Sequence, residues 1–501
     1  NKFTLILKEK EFLKNTLFNI IKNLKNIYGD SMNKTKIISQ LTQSNSSDES
    51  IRSLMENGID LFLMDLNEVN KEFCLEVIRK INDLNDELKT NVGSILELRN
   101  NKVRINKISG GSAYLKEKDK IRIYMDHTIG DETKLSVDYD EIINEIKYDS
   151  IIKLSDGNVE LEVLDKSEGF ILCLVKKGGL VYEHSEVNIP DIKISKKFLT
   201  KYNKDMIKFA AEIGMDYVIL NSVTEQEDVL DINDLLINME NNHLGILTKI
   251  NNKFALEEVE DIINMSEGVI ISRDDLGLEV PIEKIPSIQK KIIDRCHMNG
   301  KISVVSAEAD YDLEAQTLNK AEVSDLANAV LDGTDAVIIG NKSHNKNYSI
   351  SLVEEIERVI KSAEEDIDYD KFLLSAIETE NQDTTGNIAC SVAEISNRLN
   401  CKAIIAPTVS GYTARKMSRF KPKCPIMAIS TNPETLRSLS IYFGVCPIYI
   451  ENLKSLDDIV DQSKKIAMNN VDIKSGDKII ITGGYPFKEV KHTNFVEIEE
   501  L

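Results

Sequence analysis

From residue 35 onward the chain alternates short, wholly apolar runs with amphipathic helical stretches, and this alternation restricts its architecture more than any other feature. Apolar runs without polar interruption suit strands buried on both faces, and helices between them suit parallel crossovers. Strands are predicted at 35–41, 61–66, 92–98, 215–221, 244–250, 268–273, 301–306 and 336–340. Helices are expected at 49–57, 225–239, 284–298, 319–331 and 350–363. Eight such units close most economically into a (β/α)8 TIM barrel, an α/β fold whose chemistry sits where the strands end.

The repeat is interrupted once. Residues 105–187 carry alternating segments at 121–125, 150–153, 159–163 and 169–175, read as a small β-barrel lid inserted between the third and fourth strands. The barrel domain is therefore expected from 32–104 and 188–365. A separate α/β domain is expected over 366–501, with helices at 385–399 and 412–420 and strands at 402–406 and 425–430. Residues 1–31 form a helical stripe through Leu13, Leu17, Ile20, Ile21, Leu24 and Ile27, read as an N-terminal extension packing on the main body.

Composition excludes several function classes. A formal net charge of -21 leaves no basic stripe to track a phosphate backbone, so no nucleic acid is expected as partner. No apolar run is long enough to span a membrane. Seven cysteines without a CxxC pair suit reduced thiols in the cytoplasm, and six histidines never fall at metal-ligand spacing.

Particular segments carry a resemblance. Lys320-Ala-Glu-Val-Ser-Asp-Leu-Ala-Asn-Ala-Val-Leu-Asp-Gly-Thr-Asp335 is the strongest, followed by Asp275-Leu-Gly-Leu-Glu-Val-Pro281, Ile288-Gln-Lys-Lys-Ile292 and Pro407-Thr-Val-Ser-Gly-Tyr-Thr413. In this order, on this scaffold, they resemble the pyruvate kinase family, across essentially all of 32–501. The resemblance implies transfer of a phosphoryl group from phosphoenolpyruvate to ADP, a reaction that depends on positioning and charge neutralisation.

It also implies a site, and here the chain departs from the family pattern. Lys249 in Thr248-Lys249-Ile250 matches the lysine that steadies the transferring phosphoryl, with Arg104 and Arg273 as further catalytic cations. Of the magnesium carboxylates Asp275 is kept, while Asn251 stands in place of the other, and Glu97 is a third candidate metal ligand. Asp274 replaces a glycine at the substrate position, and Ala307 replaces a threonine there unless the alignment slips by one to Ser306. Leu63, Asp65, Asn67 and Glu68 replace an arginine, the potassium ligands and a histidine on strand two. On strand three Glu97, Leu98 and Arg99 stand where the family has an aspartate and a threonine for the same potassium, followed by a lysine, and Lys342 replaces a glutamate after strand eight. On the lid, Ser185 replaces a lysine and Asp156 keeps an acid on the nucleotide side. The expected cofactor is Mg2+ or Mn2+ if the protein is active; K+ is not expected, since its ligand positions are replaced.

Thr408, Ser410, Gly411 and Thr413 form a hydroxyl-rich turn opening onto a helix, suited to an effector phosphate. Gly483-Gly484-Tyr485-Pro486 resembles a neighbouring loop of that site. The expected ligands are small anionic metabolites: phosphoenolpyruvate, ADP or a sugar phosphate. The expected assembly is a homo-oligomer, a tetramer by resemblance, or a hetero-oligomer with a pyruvate kinase. Three functions follow: a non-catalytic or weakly active regulatory binder, an active phosphotransferase with rearranged metal ligands, or a regulatory subunit of a genuine pyruvate kinase. In the simplest alternative for the site, Lys249 and Asp275 are bridged to each other or to Arg273.

Overall fold

The computed structural model describes residues 33–501 apart from 168, 191, 240–242, 310–316, 342–349, 379–382, 453–455 and 486–492. The helical stripe of residues 1–31, Lys342 and Pro486 lie outside the described residues.

Eight parallel strands close into a barrel: Lys36–Gln40, Leu61–Asp65, Gly93–Glu97, Tyr217–Leu220, Gly245–Ile250, Gly268–Ser272, Ile302–Ala309 and Ala336–Asn341. Each lies within one of the runs predicted from the sequence or extends it at its C-terminal end by one to three residues. Alternation along the strands separates two cores. Ile37, Met64, Val269 and Ile271 face the surrounding helices. Ile38, Leu63, Ile270 and Ile338 fill the barrel interior. That interior core continues into the C-terminal domain through Tyr217, Leu439 and Ile441, so the domain plugs the barrel floor.

Aspartates tie the floor. Asp216, just before strand four, accepts from the Ser94 N–H at 2.8 Å and its hydroxyl at 2.9 Å, while Arg437 of the C-terminal domain reaches it at 3.2 Å. Asp335, just before strand eight, repeats this with Ser303 at 2.8 and 3.0 Å and with Lys421 of the C-terminal domain at 2.7 Å. In each case the carboxylate satisfies the backbone N–H of a strand's second residue and a cation of the C-terminal domain at once.

The insertion between strands three and four is a seven-stranded sheet with an added two-stranded ribbon. Its strands include Lys120–Tyr124, Ile151–Leu154, Val159–Ser167 and Phe170–Lys177, one for each predicted segment. A bridge between Ile105 and Val137 joins the two edges of the sheet and closes it into a small barrel. The chain leaves the large barrel through Val103–Arg104 and returns through Glu186–Asn188, and these two strands pair antiparallel. In the C-terminal domain Ala403–Pro407 lies at the centre of a five-stranded sheet in the order Val445–Tyr449, Ile426–Ser430, Ala403–Pro407, Lys478–Gly483, Phe495–Glu500.

Candidate functional site

At the C-terminal ends of the barrel strands lies a cleft of about 510 Å³. Its floor is Leu63, Ile270 and Ile338, and its walls carry Asp65, Glu97, Lys249 and Ser306 from strand ends. Asp274, Asp275 and Leu278 come from the short helix Arg273–Glu279, and Asp156 reaches in from a lid turn. The lid rests on this helix: Lys153 Nζ donates to the Leu278 carbonyl at 2.6 Å.

Lys249 is the penultimate residue of its strand, so alternation turns it inward while Thr248 turns outward to Ser266. Its Nζ lies 3.1 Å from Glu97 Oε1 and 4.0 Å from Asp275 Oδ2. Burial by itself would lower its pKa, but the two carboxylates outweigh burial and hold it well above the ordinary lysine value. Asp275 accepts from Lys102 Nζ at 2.9 Å and from Ser272 Oγ at 2.7 Å. Burial opposes its ionisation, yet Lys102 and Lys249 pull its pKa down to about 2. Asp65 is the reverse: burial and the charge of Glu97 push it up to about 7.

The candidate metal set is not assembled. Asn251 lies in a second, smaller cavity of about 100 Å³ at the foot of the lid. Its amide donates to Asn221 Oδ1 at 2.9 Å and its carbonyl accepts from Asn252 at 3.2 Å. Asn221 donates in turn to Glu97 Oε1 at 2.6 Å. Among the described residues no three histidine, cysteine or carboxylate side chains converge as a metal centre.

Several candidates stand elsewhere. Arg273 is ion-paired with Asp325 on the helix Lys320–Leu331 rather than with Lys249 or Asp275, and it does not line the cleft. Arg104 holds the lid, donating to Glu186 at 2.9 Å, to Asn100 at 3.0 Å and to the His184 carbonyl at 3.0 Å. Ser306, not Ala307, lines the cleft, because neighbours on a strand face opposite sides. Leu98 is buried in the outer core. Arg99 donates to the Leu66 carbonyl at 2.8 Å and stacks 4.5 Å from the ring of Tyr202. Ser185 donates to the Tyr182 carbonyl at 2.7 Å.

Sequence reasoning missed Lys102 and Glu186. Asn100, Lys102 and Arg104 alternate along one extended stretch, and all three contact Glu186. That period of two was the available signal.

In the C-terminal domain Gly411, with φ 78°, is the N-cap of the helix Tyr412–Arg419. A Cβ there would also lie 3.1 Å from Leu439 Cδ2, so both backbone and space call for glycine. Thr413 is buried and its hydroxyl meets that of Thr493 at 3.0 Å. The Ser410 carbonyl accepts from Arg415 at 3.2 Å, and Thr408 donates its N–H to Ile429 at 2.9 Å. Tyr485 is tied to Asn494 by two hydrogen bonds of 2.8 and 2.6 Å.

Comparison with known proteins agrees with this architecture. Residues 32–353 match the family described as the pyruvate kinase barrel domain, and residues 386–499 its alpha/beta domain. The pyruvate kinase of Clostridium perfringens is 30% identical over 475 residues, covering 94% of this chain and 100% of that protein. Those of Staphylococcus saprophyticus and Geobacillus stearothermophilus are each 30% identical over 93% of this chain and 80% of their own length. With its barrel, inserted lid and C-terminal domain in this order, the chain belongs to the pyruvate kinase family.

Proposed function

We propose that this chain is a pyruvate kinase-type protein in which phosphoryl transfer from phosphoenolpyruvate to ADP is slow or absent, and whose role is regulatory binding of a phosphate-bearing metabolite. The observation that carries the reading is the commitment of Lys249, which is held by Glu97 and Asp275 inside a cleft also lined by Asp65, Glu68, Asp156 and Asp274. A reacting polyanion needs preorganised positive charge, and removing one such group typically costs about 10²- to 10³-fold in rate. Leu63 offers none, and Arg99 and Arg273 are turned to other partners. Mg2+ belongs to the family reaction, but the residues present do not fit it in the expected way: Asn251 is tied into an amide chain and Asp275 is saturated by Lys102, Lys249 and Ser272. Metabolite binding suits the loop of Thr408, Ser410 and Gly411, where the uncapped first turn of Tyr412–Arg419 offers backbone N–H groups.

A coupled assay with phosphoenolpyruvate, ADP, Mg2+ or Mn2+ and varied K+ tests this. Turnover below about 1 per second, with no K+ requirement, is expected; about 10 per second, the median for enzymes, would overturn the reading. One observation favours the second reading, an active phosphotransferase: Lys249, Asp156, Asp274 and Asp275 do share a single cleft. Metal-dependent turnover abolished by Lys249→Ala would support that alternative.

A further inference from the structure

We infer that the ammonium of Lys102 is a built-in cation of the barrel mouth, which occupies the carboxylate oxygens a divalent ion would need and keeps such an ion away from Asp275. Lys102 Nζ lies 2.9 Å from Asp275 Oδ1 and 2.8 Å from Glu186 Oε2. The remaining oxygen of Asp275 accepts from Ser272 Oγ at 2.7 Å and faces Lys249 Nζ at 4.0 Å. The remaining oxygen of Glu186 accepts from Arg104 Nη2 at 2.9 Å and Asn100 Nδ2 at 2.6 Å. All four carboxylate oxygens are thus engaged, by three cations, an amide and a hydroxyl.

Mg2+ takes oxygen ligands at about 2.0–2.1 Å in a near-ideal octahedron and gives up its water reluctantly. An ammonium bonded to the same oxygen stands on the approach such an ion would use, and its charge repels the ion in a half-buried setting. The geometry goes further than exclusion. Lys102 lies in the segment leaving the barrel, Glu186 on the strand returning from the lid, and Asp275 on a barrel helix. The side chain therefore joins lid to barrel through two charge-assisted hydrogen bonds, without an exogenous ion. This deepens the reading of the barrel mouth given above, and metal binding rather than turnover reads it out, so either idea can fail alone.

The test is Mn2+ titration of the full chain, with free Mn2+ followed by electron paramagnetic resonance. Wild type and Asp275→Asn are expected to take up Mn2+ equally, since surface carboxylates alone bind it. Lys102→Ala, and the near-isosteric Lys102→Met, should each gain a site on the order of tenfold tighter than that background, because two half-buried carboxylates lose their counter-charge. Adding Asp275→Asn to either variant should remove the gained site. Wild-type uptake that Asp275→Asn abolishes would overturn the inference. So would folded Lys102 variants that gain no site dependent on Asp275. Where neither Lys102 variant folds, the wild-type comparison decides: equal uptake supports the inference and loss in Asp275→Asn refutes it.

Discussion

Asp65 and Glu97 stand opposite each other in register on neighbouring barrel strands, and two carboxylates so placed resist ionising together. The pKa of Asp65, about 7, is above the unfolded value of 3.8, so between these values the native state holds more protons than the unfolded one. Stability therefore falls as pH rises through this window and stays lowered above it. Asp65→Asn should raise the melting temperature at pH 8, by a gain on the order of 2 kcal/mol, and leave it nearly unchanged at pH 4; thermal melts at the two pH values check this. At this scale the sequence is a partial guide. Lys249, Asp275 and Asp156 were legible because strand ends and a lid turn bring them to one cleft wherever the scaffold is kept. Ala307 was not, since a slip of one residue reverses a strand's faces and puts Ser306 inside. Arg273 and Asn251 are decided by partners far along the chain, Asp325 and Asn221, which no local pattern names.

Elements were more legible than residues, because periodicity and capping are local. Asn319 precedes the helix Lys320–Leu331, accepts from the Ala321 and Glu322 N–H groups, and receives the Glu322 side chain on its own N–H at 2.8 Å. This reciprocal cap fixes the start of the helix. Asn319→Ala should cost about 1 kcal/mol. Hydrogen exchange in the first turn of that helix should then quicken by about fivefold, while distant elements keep their protection. The predicted helices 284–298 and 350–363 correspond to Ile285–Asn299 and Ile350–Glu365, where apolar periodicity is the local signal. The closure of the lid sheet was harder to read: it depends on one bridge between Ile105 and Val137, a pairing that leaves no periodic trace.

For the whole molecule the barrel floor sets how the large units hold together. Asp216 is buried, and burial raises its pKa even with Arg437 and the Ser94 donors opposing. Arg437→Met would strand that carboxylate, at a cost of about 3–5 kcal/mol. The melting temperature should drop clearly, and Asp216→Asn in the same chain should restore part of the loss; no recovery would mean that the pair is not the source of the cost. The continuity of the interior core into Leu439 and Ile441 was not legible, because nothing in a linear pattern says which end of a barrel a later domain will stopper. The lid obeys a different logic. Its outgoing and incoming strands lie side by side, Arg104 against Glu186 and Val103 against Val187. A module hung on such a paired stalk leaves and rejoins the barrel at one place. The same stalk makes it a removable cassette, for the two cut ends would lie close enough for a hairpin turn to rejoin them.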